Sequence, residues 1–84
     1  MVPISIEECA QQLAENNEHV DYQEAIDMLR YGVERKKAGA TCILCGRPIW
    51  AVGTAMTEWD GCFTCITGSA NDSDDYEIDE VCWP

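Results

Sequence analysis

The stretch from residue 42 to residue 65 reads CILCGRPIWAVGTAMTEWDGCFTC and contains two Cys-x-x-Cys pairs, Cys42 with Cys45 and Cys62 with Cys65. Sixteen residues separate the pairs, a spacing typical of sites in which four thiolates surround one zinc ion. Each pair can occupy two corners of a tetrahedron, and a turn of the chain between them returns the second pair to the first. The stretch therefore predicts one closed, structural Zn²⁺ site.

The length of the chain also favours a bound metal. A chain of 84 residues buries only about 60 to 65% of its extended surface, so its core alone gives marginal stability. Binding of a structural zinc ion contributes on the order of 10 to 16 kcal/mol in small zinc-finger peptides, as much as the net stability of an ordinary domain. We therefore expect the metal-free chain to be poorly folded.

Two other uses of the same thiolates stay open at this point. Four cysteines also bind iron as in rubredoxin, and the ligand type does not distinguish the two metals. A redox Cys-x-x-Cys needs an exposed thiol of low pKa, usually in a βαβ context that this chain does not predict. The remaining candidates, Cys9, His19 and Cys82, are expected to have no ligand role, since Cys9 falls on an apolar helical stripe.

Two helices are predicted ahead of the finger, each with a well-defined start. Ser5 with Glu8 and Asp21 with Glu24 are capping boxes, in which the first side chain accepts a hydrogen bond from an N–H of the first turn. Apolar residues then recur at helical spacing, and the second helix is predicted over about residues 22–37. A short connection between the two makes an antiparallel pair the simplest arrangement.

The pattern changes after residue 40 to short runs typical of strands. Ile49–Val52 and Thr54–Trp59 predict a hairpin, and Tyr76–Trp83 predicts a strand, with a short helix as the alternative. The predicted fold class is α+β, an N-terminal antiparallel helix pair followed by a small zinc-stapled β-hairpin finger. We expect an acidic helical hairpin over 1–39 and a four-cysteine finger with an acidic C-terminal segment over 40–84, together forming one compact domain.

The charge of the chain favours a basic partner. Sixteen acidic residues against five basic ones give a formal charge of −11, which makes direct binding of a nucleic-acid backbone unfavourable. All five cations fall in one basic belt, residues 30–47, and a role in solubility and helix-dipole stabilisation explains them most simply. The alternative is a nucleic-acid-binding finger that uses these cations for binding and Trp50 for stacking. The five cations of the belt are Arg30, Arg35, Lys36, Lys37 and Arg47.

The acidic residues that we expect to face a basic partner form two groups. One group, at the start of the second helix, consists of Asp21 and Glu24. The other group, in the C-terminal segment, consists of Asp72, Asp74, Asp75 and Glu77. Steered association of such surfaces with a basic channel or groove is fast and sensitive to salt. RNA polymerase and a phage-targeted defence nuclease are two examples of nucleic-acid-handling machines that offer such a basic surface.

The sequence lacks the usual parts of a catalytic site. It has one histidine, no G-x-S-x-G and no glycine-rich phosphate loop ahead of a helix, so we expect a protein that is not an enzyme. No basic segment followed by an apolar stretch opens the sequence, and no run approaches the ~20 apolar residues that span a bilayer. A cytoplasmic protein without a membrane segment is expected.

One segment resembles a known family. The run Cys42–Ile49, CILCGRPI, followed by Cys62-x-x-Cys65, resembles the zinc finger of the DksA/TraR family, which reads C-x2-C-G-x-x-I and closes with a second C-x2-C. Members of that family are small regulators that insert an acidic helical tip into the secondary channel of bacterial RNA polymerase, and Asp21-x-x-Glu24-Ala25 is loosely similar to that tip. The resemblance, confined to the finger, implies a regulator of transcription.

Overall fold

The computed structural model describes residues 1–70 and 75–82. The α+β class with an N-terminal helix pair is confirmed. None of the helices in these two ranges is both long and apolar enough to span a lipid bilayer. In chain order the elements are β1 (Val2–Ile4), α1 (Ile6–Asn16), α2 (Tyr22–Lys37), α3 (Ala51–Thr57), α4 (Phe63–Thr67), β2 (Tyr76–Ile78) and a single 3₁₀ turn (Asp79–Val81).

Both predicted helix starts are confirmed. The Glu8 N–H donates to Ser5 Oγ over 3.1 Å, and the Glu24 N–H donates to Asp21 Oδ1 over 2.7 Å. Each bond satisfies one of the free N–H groups of a first helical turn. The two helices pack through a shared buried cluster, which includes Cys9 and Ala10 of α1 and Ala25, Ile26, Leu29 and Val33 of α2.

The predicted hairpin over Ile49–Val52 and Thr54–Trp59 is wrong, because this segment forms the helix α3. Ala51, Thr54 and Ala55 lie three and four positions apart and are all buried, so they form one helical face. These residues are small and weakly apolar, and their helical spacing is a fainter signal than the β-branched and aromatic residues around them.

α3 packs very closely against α2 at Gly32. A Cβ atom at this position would overlap the backbone carbonyl oxygen of Ala51. A glycine in the middle of a helix costs up to about 1 kcal/mol relative to alanine, and the close approach explains why one stands here. The contact brings the start of α3 against the middle of the longest helix.

β1 and β2 form a parallel two-stranded sheet, in which Val2 pairs with Tyr76 and Ile4 pairs with Ile78. The sequence analysis did not predict β1. The strand predicted over Tyr76–Trp83 ends at Ile78, where the chain enters the 3₁₀ turn. Ile4 and Ile78 are buried and extend the core formed by the helices.

A buried carboxylate joins β2, α2 and α3. Glu77 is 0% exposed, so the expectation that it faces a partner is wrong. Its Oε2 accepts hydrogen bonds from Lys36 Nζ and from the Ala51 N–H, both over 2.8 Å. Its Oε1 accepts from the N–H groups of Val52 and Ile78 over 3.3 and 3.0 Å. Glu77 therefore caps the N-terminus of α3, where a negative charge is stabilising, and pairs with a cation of α2.

Candidate metal centre

The four predicted cysteines come together in space. The Sγ atoms of Cys42, Cys45, Cys62 and Cys65 all lie within 4.8 Å of one another, and those of Cys45 and Cys62 are 3.4 Å apart. Four thiolates at about 2.3 Å from a central ion would lie about 3.8 Å from one another. The cluster is therefore positioned to bind one metal ion with small side-chain adjustments.

The first cysteine pair lies on a tight knuckle. The Gly46 N–H donates to the Cys42 carbonyl oxygen over 2.9 Å, and the Cys42 N–H donates to the Arg47 carbonyl oxygen over 2.6 Å. Gly46 has a φ of +78°, a conformation that glycine adopts without steric cost. The Leu44 N–H points back at the Cys42 sulfur over 3.4 Å, an orientation that stabilises a thiolate.

The second pair begins the short helix α4. Cys62 is the N-cap of this helix, and its Sγ accepts a hydrogen bond from the Cys65 N–H over 3.4 Å. The helix ends after one turn at Gly68, which has a φ of +78°. Both pairs thus have the same local design, in which the first cysteine accepts a backbone N–H from a residue two or three positions later.

Backbone and side-chain bonds hold the two pairs in register. The Ile43 N–H donates to the Asp60 carbonyl oxygen over 3.0 Å, and the Trp50 N–H donates to the Gly61 carbonyl oxygen over 2.9 Å. The Asp60 carboxylate also accepts two hydrogen bonds from the Arg35 guanidinium, one of them from Nε over 3.0 Å, and this pairing lowers the pKa of Asp60. The loop that carries the second pair is therefore fixed both to the knuckle and to α2.

An edge-to-face aromatic pair packs beneath the finger. The ring centroids of Trp50 and Phe63 are 5.0 Å apart and the ring planes are inclined at 73°, a favourable arrangement for two aromatic rings. The indole N–H of Trp50 donates to the Tyr76 carbonyl oxygen over 2.8 Å. Trp50 is thus half-buried and engaged in the fold, which does not favour its use as a stacking platform for a nucleic-acid base.

The pKa values of two thiols in the cluster, Cys42 and Cys65, are shifted in opposite directions. Burial opposes ionisation of Cys42, but hydrogen bonds from backbone N–H groups and from Cys65 outweigh it and lower the pKa of Cys42 to about 6. Hydrogen bonding to Cys62 and Cys42 raises the pKa of Cys65 to about 12. A metal ion must displace the protons that remain on the cluster, so its binding weakens as the pH falls.

The other sulfur and imidazole groups lie apart from this cluster. Cys9 is buried in the core, Cys82 Sγ lies 3.8 Å from the Met1 carbonyl oxygen, and His19 is exposed between α1 and α2. Within residues 1–70 and 75–82, the four-cysteine cluster is the one group of three or more Cys, His or acidic side chains whose ligand atoms converge.

The described members of the acidic set that was expected to face a partner do not form one surface. Asp21 and Glu24 are exposed at the N-terminus of α2, whereas Asp75 lies beside β1, with its carbonyl oxygen accepting the Val2 N–H over 2.7 Å. β2 contacts α2 near the C-terminus of that helix, and a helix of sixteen residues is about 24 Å long. The segment that carries Asp75 therefore lies towards the opposite end of α2 from Asp21 and Glu24. Glu77 is buried, and Asp72 and Asp74 lie outside the described residues.

Three cations of the basic belt are engaged by acidic side chains within the fold. Arg35 pairs with Asp60, Lys36 Nζ lies 2.8 Å from Glu77, and Lys37 Nζ lies 2.9 Å from Glu80. These contacts place three of the five cations in internal ion pairs. The other two members of the belt, Arg30 and Arg47, are exposed. No sequence signal could have identified these partners, since they lie 25 to 43 positions away.

No protein-family model, curated protein or solved structure matches this chain. The resemblance to the DksA/TraR finger therefore stands on the cysteine motif alone, and the geometry supports the broader description of a Cys-x-x-Cys…Cys-x-x-Cys metal-binding finger.

Proposed function

We propose that this protein is a small, cytoplasmic, zinc-binding regulator or inhibitor that binds a basic surface on a protein machine that handles nucleic acid. It is not an enzyme in this proposal. Bacterial RNA polymerase and a phage-targeted defence nuclease are the candidate partners. The observation that carries the proposal is the acidic surface that remains after three of the five cations have been neutralised by ion pairs within the fold.

The charge arithmetic supports a basic partner. The formal charge is −11, and a zinc ion bound by four thiolates adds about −2 to it. Acidic side chains are exposed on both long helices, for example Glu7 and Glu15 on α1 and Glu24 and Asp27 on α2. Surfaces of this kind accelerate association with a basic partner and repel a phosphate backbone.

The donor set supports zinc in a structural role. Four thiolates fill the tetrahedral coordination shell and leave no open position for water or substrate. Native mass spectrometry with and without a chelator, combined with circular dichroism, tests the metal. We expect a mass increase of one Zn²⁺ less the displaced protons, and loss of structure on chelation; visible absorption from an iron–thiolate centre, or a disulfide mass deficit, would contradict this.

Two cysteine variants separate the metal ligands from the other thiols. Cys65→Ser should lose the metal and much of the helical signal, because it removes one of four ligands. Cys82→Ser is the matched control, since its sulfur lies outside the cluster, and it should keep the full complement of metal. Equal metal loss in both variants would contradict the assignment of the site.

Binding measurements on the zinc-loaded protein test the function. The immobilised protein is exposed to purified RNA polymerase core enzyme, to a purified defence nuclease and to labelled single- and double-stranded DNA. We expect binding to at least one of the two proteins, weakening about tenfold or more between low and moderate salt as screening increases, and no comparable binding to DNA. Salt-independent protein binding, or tight DNA binding, would contradict the proposal.

A further inference from the structure

A groove between α2 and α3 is lined by both apolar and acidic side chains. It encloses about 380 Å³ and is bordered by Asp27, Met28 and Tyr31 of α2, by Ala55 of α3 and by Glu58 just after α3. None of these residues belongs to the metal centre or to the acidic groups at the start of α2 and in the C-terminal segment.

The apolar lining of this groove ranges from buried to exposed. Ala55 is buried, Met28 is half-buried and Tyr31 is 54% exposed. Methionine adapts its shape to a bound partner, and tyrosine provides a rigid ring that contributes strongly to interfaces. The face of an exposed tyrosine ring also attracts a cationic side chain.

The charged part of the groove is wholly acidic. Asp27 and Glu58 contribute carboxylates, and none of the cations in the described residues lines the groove. Arg35, one helical turn beyond Tyr31, has its guanidinium bound by Asp60. The groove therefore offers negative charge next to apolar surface, which complements an arginine or lysine with its aliphatic stem.

The backbone at Glu58 adds an independent observation. This residue has a φ of +67° and is the one non-glycine residue with positive φ in the part of the chain that the structure describes. Glycine or asparagine is the usual choice at such a helix C-terminus, and another residue costs about 1 to 2 kcal/mol. Within the described residues, Glu58 makes one hydrogen bond, from its backbone N–H to the Thr54 carbonyl oxygen. Glu58 is exposed and lines the groove, and backbone strain of this kind is concentrated at functional sites.

We propose that this groove binds a short basic segment of a protein partner, in which arginine or lysine side chains alternate with apolar ones. The cations pair with Asp27 and Glu58, and an apolar side chain lies against Met28, Tyr31 and Ala55. The inference rests on the proposed function, because it names the face and the kind of segment through which a basic partner is bound.

A peptide titration with matched variants tests the groove. The probe is a short fluorescein-labelled peptide in which arginine and leucine alternate, with a glutamate–leucine peptide as the negative control. The zinc-loaded wild type is compared with the double variant Asp27→Asn/Glu58→Gln and with Glu7→Gln/Asp79→Asn. The two double variants carry the same net charge, and Glu7 and Asp79 are exposed residues outside the groove.

The expected result is binding that weakens about 5- to 10-fold in the groove variant and less than about twofold in the control variant. Equal weakening in both would show that binding follows net charge, which overturns the groove and leaves the proposed function standing. No binding of the basic peptide by the wild type would overturn the groove and count against the proposed function as well.

A third variant separates binding from folding. Glu58→Gly relieves the positive φ, so its thermal midpoint should equal or exceed that of the wild type, while its affinity for the basic peptide should fall. Chemical shifts of backbone amides should change in residues 27–31 and 55–58 on titration with the peptide. Shifts confined to the start of α2 around Asp21 would overturn the groove and place the basic segment there instead.

Discussion

Substitution of Glu77 by glutamine should destabilise the fold severely. Each carboxylate oxygen accepts two hydrogen bonds, one oxygen from Lys36 and Ala51 and the other from Val52 and Ile78. An amide replaces one of these oxygens with an NH₂ group, so in either orientation two donors lose their acceptor. The change also removes the charge that pairs with Lys36, whose side chain is only 10% exposed.

The magnitude follows from this burial. Breaking a buried, hydrogen-bonded ion pair costs about 3 to 5 kcal/mol, and a small domain has only about 5 to 15 kcal/mol of net stability. For a chain of this size, the loss corresponds to a fall in the thermal midpoint of at least about 12 °C. The assay is thermal and urea unfolding of the metal-saturated protein at pH 7, followed by far-ultraviolet circular dichroism.

The matched control is Glu80→Gln, the same chemical change in the Lys37–Glu80 ion pair, where both side chains are nearly half exposed. Solvent screens such a pair, so this variant should unfold close to the wild type. A Glu77→Gln protein that unfolds within about 1 kcal/mol of the wild type would refute the reasoning, since it would mean that the carboxylate is not needed to hold α2, α3 and β2 together.

Three further outcomes are expected. Gly32→Ala should cost about 1 to 3 kcal/mol in urea unfolding, because the new methyl group overlaps the Ala51 carbonyl oxygen; an unchanged midpoint would contradict the close approach. Burial, followed by the charge of Glu77, raises the pKa of Cys9 from 9.0 to about 11. The unfolded thiol therefore ionises first, and stability should fall as the pH rises from 9 towards 11, less so in Cys9→Ala; iodoacetamide at pH 8 should label Cys9 only after denaturation. Ile43→Ser and Leu44→Ser should leave the thermal midpoint unchanged, since these side chains are 69% and 68% exposed; a large fall would mean that the knuckle packs against other residues.

The features that sequence reasoning predicted correctly are encoded locally. The capping bonds of Ser5 and Asp21 join residues three positions apart, and the spacing of each cysteine pair fixes its own knuckle or helix start. Such signals can be read without knowing where the rest of the chain lies. The N-terminal helix pair, the bounds of the second helix and the convergence of the four cysteines all followed from them.

The features that sequence reasoning missed depend on partners far along the chain. α3 begins where the Glu77 carboxylate, 26 positions after Ala51, accepts its first N–H groups, and its small buried residues pack against a glycine of α2. β1 needs β2, which lies 74 positions later. The basic belt over residues 30–47 likewise suggests a basic surface in the sequence, because its acidic partners lie outside that segment. These partners are Asp60, Glu77 and Glu80.

The pairing of β1 with β2 has a consequence for synthesis of the protein on the ribosome. Residues 2–4 are synthesised 74 positions before their partners, residues 76–78, whereas α1 and α2 can pair as soon as both have left the exit tunnel. Until β2 arrives, Ile4 lacks its strand partner and the N-terminus of α3 lacks its cap. The nascent chain therefore exposes part of its apolar core, a surface that chaperones can bind. The fold is completed only when Glu77 emerges.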